Sequence, residues 1–176
     1  MVNAPEQLPA DSTPEAPATT TGADDVGEIT PVGDDERVYR AVADLPNCFA
    51  MPGGTLRLSH SAFNDHPDSK PSVDRVAMLQ GGPDASRRRP SDGVVVLGIQ
   101  EIRQIAPVAR DHKGREVQRH SVDVVHDPKP VNRAHALVVA NPEVGSSVFK
   151  KLREALCLVA EPGGWQVKPA SLQEDV

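Results

Sequence analysis

Gly93-Val94-Val95-Val96-Leu97 decides the fold class of this chain. Its apolar residues run without alternation, the pattern of a strand covered on both faces. Such a strand belongs in the middle of a sheet. The polar stretch 83–92 bounds it on one side. After it, Ile99, Ile102, Arg103 and Ile105 are spaced as one or two helical turns that Pro107 ends.

Working outward, the other strands take their places. Val38-Tyr39-Arg40-Ala41-Val42 alternates as a half-buried strand does. Asp111-His112-Lys113-Gly114 is a turn between Val108–Arg110 and Arg115–Val125, which predicts a hairpin. His120, Val122, Val124 and His126 share one face of its second arm. Ala134–Ala140 reads as a further strand and Trp165–Val167 as an edge. A helix is predicted over 142–160, with Asn141 as N-cap, Pro142 at the first helical position and Val148, Phe149, Leu152, Leu156 and Val159 as its apolar stripe. A shorter helix is predicted from Ser72 through Gln80. The expected fold is α+β: a small mixed sheet with a hairpin and a C-terminal amphipathic helix.

The 176 residues carry a net charge of −6, and the charge is divided. Residues 1–36 hold nine Asp and Glu, five Pro and no Lys or Arg; the rest holds 16 acids and 19 bases. The first part cannot bury enough apolar surface to offset chain entropy. The expected organisation is a disordered acidic tail over 1–36, one domain over 37–170 and a disordered end over 171–176. The tail is expected to solvate the chain, to dock on a basic partner or to cover a basic patch of its own body. Its start lacks the basic end and apolar core of a secretory signal, so the expected location is cytoplasmic, with Cys48 and Cys157 as reduced thiols. Apolar runs as short as Val94–Leu97 exclude a membrane helix. Two cysteines exclude a disulfide framework, and 17 prolines exclude a long coiled coil.

The densest polar cluster is Asp65–Arg75. It offers His66 and Asp74 as general acid or base, Arg75 as an anion clamp, and Ser72 at a helix start where backbone N–H groups favour an anion. His135 is the third acid–base candidate. Arg40 and Asn132 join the binding candidates. Arg87-Arg88-Arg89 is the strongest positive cluster, and Arg110, Lys113, Arg115 and Arg119 form a second. Clustered arginine suits phosphate, but with aromatics at 3% a single-strand nucleic-acid surface lacks its stacking partners. His126, Asp127 and His135 form a conceivable metal set, yet no HExxH or paired CxxC occurs. The histidines therefore read as structural or surface groups, and no metal or cofactor is assigned. No phosphate-binding glycine motif is present. Cys48 reads as a small buried thiol rather than a nucleophile served by His60 or His66.

Taken in order, Val38-Tyr39-Arg40, Ser61-Ala62-Phe63, Pro71-Ser72-Val73-Asp74-Arg75, Gly93-Val94-Val95 and Asn132-Arg133-Ala134-His135-Ala136 resemble a group of small uncharacterised bacterial proteins over roughly residues 37–160. The resemblance carries no activity, fold or partner. It directs attention to Arg40, Ser72, Asp74, Asn132 and His135 as positions that converge.

Two functions fit these residues. The first is a binding or accessory module that docks to a protein or nucleic-acid partner through its mildly basic body, away from any membrane. The alternative is a small enzyme acting on a nucleotide or phosphate ester. It would use His66, Asp74 or His135 as acid or base and Arg40 or Arg75 as clamp. That alternative requires Arg40, Asp74, Arg75 and His135 to line one pocket.

Overall fold

A computed structural model describes residues 27–65 and 70–173. His66 lies outside the described residues, as do 1–26 and 174–176. The strands are β1 (Arg37–Val42), β2 (Phe49–Ala50), β3 (Arg57–Leu58), β4 (Ser72–Arg75), β5 (Gly93–Gly98), β6 (Val108–Arg110), β7 (Glu116–Arg119), β8 (Ser121–His126), β9 (His135–Asn141) and β10 (Trp165–Val167). The helices are α1 (Ile99–Arg103) and α2 (Ser146–Gly163). The fold is α+β. One six-stranded sheet runs β10-β5-β1-β4-β9-β8, and two small hairpins, β2–β3 and β6–β7, stand beside it. Every ladder is antiparallel.

The inner face of the sheet carries the core. Val38 and Val42 of β1, Val95 and Leu97 of β5, Val73 of β4, Ala136 and Val138 of β9, and Val122 and Val124 of β8 are buried together. Phe149, Leu152, Leu156 and Ala160 of α2 and Ile99 and Ile102 of α1 complete it. β5 is covered on both faces, as its unbroken apolar run requires: Val94, Val95, Val96 and Leu97 are all buried. It lies second from the edge, because only the short β10 flanks it.

Three expectations are corrected. Ser72–Gln80 is not a helix. Ser72–Arg75 is strand β4, followed by a 3-10 turn over Val76–Met78. Val73 pairs across to Ala136 while Arg75 pairs with Val38, so ladders on both sides outweigh a weak helical pattern. The main helix begins at Ser146 rather than 142. Asn141 is still laddered to Ser121, and the first helical bond runs from Phe149 N–H to the Gly145 carbonyl at 2.8 Å. Gly164, at φ 70°, ends it in a conformation glycine adopts freely.

The third correction concerns the leader. Residues 27–36 pack on the body rather than outside it. Arg75 donates to the Thr30 and Pro31 carbonyls and to both Glu36 oxygens. Arg103 donates to the Val32 carbonyl and pairs with Asp34. Val32 packs against the core. The expected tail over 1–26 lies outside the described residues.

Among the described residues no helix is long and apolar enough to cross a membrane.

Candidate functional site

In an antiparallel ladder, residues directly opposite each other point to the same face. Asp74 faces Tyr39 and His135, while Arg75 faces Val38. Arg40 shares its face with the core residues Val38 and Val42. Arg40 and Arg75 therefore leave the inner face, and Asp74 and His135 the outer one. The four side chains that the enzymatic reading needs in one pocket are divided by the thickness of the sheet.

Each of them is also bound internally. The buried Asp74 accepts from the Asn132 amide at 2.7 Å and from the Ser86 hydroxyl. Asn132 in turn accepts from the Ala134 N–H at 3.1 Å. The result is a pin that ties the 83–86 turn and the β8–β9 connection to β4. His135 donates from Nδ1 to the Asp127 carbonyl at 2.8 Å, with the Asp127 carboxylate 3.3 Å away. Arg75 is spent on the leader.

Arg40 is 5% exposed and anchors a polar cavity of about 230 Å³ that Cys48, Asp65, Arg88 and Asp92 also line. Its Nε donates to the Ala62 carbonyl at 2.9 Å, and its remaining nitrogens reach the Ser72 carbonyl at 2.7 Å and both oxygens of Asp65. Asp65 also accepts from the Ser72 N–H. Ser72 thus offers its backbone to the protein's own carboxylate, not to an external anion, and it opens a strand rather than a helix. Burial alone would raise the Asp65 carboxyl. The Arg40 guanidinium, the Ser72 N–H and the more distant Arg88 outweigh it and hold it below the usual carboxylate range. Burial raises the Cys48 thiol, which suits the inert reading.

The basic clusters are largely paired with local groups. Arg87 bridges Asp84 and the Pro90 carbonyl, and Arg88 reaches Asp65 at 3.5 Å. Arg89 contributes its backbone N–H to Asp92, and its side chain is exposed. On the β6–β7 hairpin, Arg115 pairs with Asp111 and Arg119 with Glu116. These are short-range surface pairs, each stabilising by about 0–1 kcal/mol. The histidines of the conceivable metal set point apart. His126 faces inward opposite Ala136, whereas His135 faces outward. His126 accepts the Thr30 N–H at Nδ1 (3.0 Å) and donates from Nε2 to the Arg133 carbonyl (2.8 Å). Among the described residues no three His, Cys, Asp or Glu converge on a metal position.

A further open feature is one the residues did not announce. A groove of about 800 Å³ runs between the leader, the Gly98 end of β5 and the outer side of α2. Asp34, Asp35, Glu36 and Glu101 line it together with Arg37. Its apolar lining includes Leu97, Ile105, Leu158 and Val159, and Leu158 is 67% exposed. Asp34 is neutralised by Arg103 and Glu36 by Arg75. Among the described residues Asp35 and Glu101 have no ionic or hydrogen-bond partner. Gly98 makes room for Glu101, whose carboxylate occupies the position a Cβ at 98 would take. The available sequence signal was Leu158, an apolar residue on the polar side of a helix that is otherwise cleanly amphipathic.

No family model matches the chain, and no curated protein and no solved structure matches it significantly.

Proposed function

We propose that this protein is a non-enzymatic binding module that docks a partner protein in the groove between the leader, β5 and α2. The observation that supports it is the pairing of an exposed apolar side chain, Leu158, with unpartnered carboxylates around an open groove. Exposed apolar surface rimmed by polar groups is a common mark of protein interaction sites. A protein suits this surface better than a nucleic acid, because the groove is acidic and most clustered arginines are already paired. The phosphate-ester alternative has less support among the described residues, because Arg40 and Arg75 leave one face of the sheet and Asp74 and His135 the other. Affinity capture from host lysate with the full chain and with Leu158→Glu tests the reading. We expect a protein retained by the first and lost by the second. Equal retention by both would overturn it, as would turnover of a phosphomonoester panel that Asp74→Asn abolishes.

A further inference from the structure

The polar cavity beside Arg40 carries a charge of each sign that the chain leaves largely unanswered. We propose that it binds a small zwitterion, an α-amino acid of the size of serine or threonine. The cavity shares no lining residue with the docking groove, so the proposal does not rest on that reading.

The negative charge is Asp92. It lines the cavity and is 4% exposed. Its Oδ2 accepts the Arg89 N–H at 3.0 Å and closes the turn over 89–92. Its Oδ1 is buried and has no hydrogen-bond partner among the described residues. A buried acceptor left unmet is costly, and an N–H brought to it by an occupant forms a charge-assisted bond. The carboxylate acts across the cavity. Burial raises the Cys48 thiol, Arg40 lowers it and Asp92 raises it further.

The positive charge is Arg88. Arg40 already holds both oxygens of Asp65, and the Ser72 N–H adds a third bond. Arg88 stands 3.5 Å from that satisfied carboxylate, with a side chain 58% exposed. Its guanidinium therefore keeps donors for an incoming carboxylate. Leu45 and Asn64 share the exposed rim with Arg88, while Cys48, Ala62 and Asp92 belong to the buried floor. The ammonium group of an amino acid enters toward Asp92, and its carboxylate stays at Arg88.

The two charges narrow the class of ligand. A simple carboxylate would leave Asp92 unanswered, and a simple amine would meet Arg88 as a like charge. The cavity volume of about 230 Å³ holds about eight water-sized groups at ~30 Å³ each, which excludes large side chains.

Isothermal titration of the full chain with glycine, L-alanine, L-serine and L-threonine tests this, with acetate and ethylammonium as single-charge controls. We expect at least one of these amino acids to bind at a single site. Asp92→Asn and Arg88→Gln should each weaken it about tenfold or more, as loss of a charged partner does. Asp92→Asn keeps an oxygen for the Arg89 N–H and removes the charge. Arg88→Gln reads the same site from an exposed position and decides the matter if Asp92→Asn does not fold. Equal affinity for acetate or ethylammonium would overturn the zwitterion. Unchanged affinity in either folded variant would overturn the placement of that charge. Binding by none of the amino acids would overturn the site and leave water as the partner of Oδ1.

Discussion

Arg40 and Asp74 sit on hydrogen-bonded neighbouring strands and leave opposite faces of the sheet, because Asp74 is in register with Tyr39. One position of offset decides it, since side chains alternate strictly along a strand. Each group consequently serves the packing on its own side. Replacing Asp74 by Ala strands the Ser86 hydroxyl and the Asn132 amide. We expect a loss of about 1–3 kcal/mol in urea unfolding, the usual cost of unmaking a buried polar contact. Ser86→Ala should cost less, and the double variant should fall short of additivity.

Acid should weaken the fold through two carboxylates. Burial pushes Glu36 up, but the hydrogen bonds and charge of Arg75, with the Gly33 N–H, lower it overall, and Asp65 is lowered likewise by Arg40. A carboxyl depressed in the folded state stabilises above its unfolded value of about 4. That contribution is lost as pH falls through the folded value. Stability should therefore hold from pH 7 to about 5 and fall steeply below about 4. Arg75→Gln should flatten that limb in pH-dependent urea titrations. An unchanged slope would refute the assignment.

Both thiols should be silent in the folded protein. Burial, with Glu161 and Glu154 nearby, pushes Cys157 up to about 11, and burial raises Cys48 as well. The reactive species is the thiolate. Maleimide labelling at pH 7.5, followed by mass spectrometry, should modify neither residue until denaturant is added. Rapid native labelling of Cys48 would show that its cavity admits reagents.

Trp165, the one tryptophan of the chain, reports on the β5–β10 contact. It meets Phe49 edge-on at 6.2 Å, and Gly93 lies directly beneath it. A Cβ at 93 would overlap the indole and come within 2.8 Å of Pro169 Cδ. Gly93→Ala should cost about 1–3 kcal/mol by overpacking and shift the emission of Trp165 to the red as the ring moves toward water.

Truncation should separate the leader into two parts. Removing 1–26 leaves every described contact of Thr30, Val32, Asp34 and Glu36 in place. Removing 1–36 leaves Arg75, which is 6% exposed, without its carboxylate and its two leader carbonyls. The same truncation uncovers the core beside Val32 and takes the Glu36 carbonyl from the Ile99 N–H. The longer truncation should melt well below the shorter one in differential scanning calorimetry.

The elements legible in the sequence were those whose signal is local. β1, β5, the hairpin, β9 and the body of α2 follow from alternation, apolar continuity and turn chemistry, each contained within a few residues. β4 was misread because Ser-Val-Asp-Arg has no pattern of its own, and its strand state comes from β1 and β9, which lie far away in sequence. Residues 27–36 depart from the expected tail for a similar reason. Its composition is that of a solvated segment, but Arg75, Arg103 and His126 supply partners from the body. Arg40, Asp74, Arg75 and His135 were chosen by chemical type, and only the ladder registers say which way each points.

β5 has a place in time as well as in space. Its inner neighbour, β1, precedes it by about fifty residues, but its outer neighbour, β10, follows by about seventy. During synthesis, at roughly 5–20 residues per second, the whole outer edge of β5 stays uncovered for several seconds before Trp165 emerges. Non-local pairing of this kind slows folding and leaves intermediates open to mispairing. Val94–Leu97, an unbroken apolar run, thus gains its outer strand only late in synthesis.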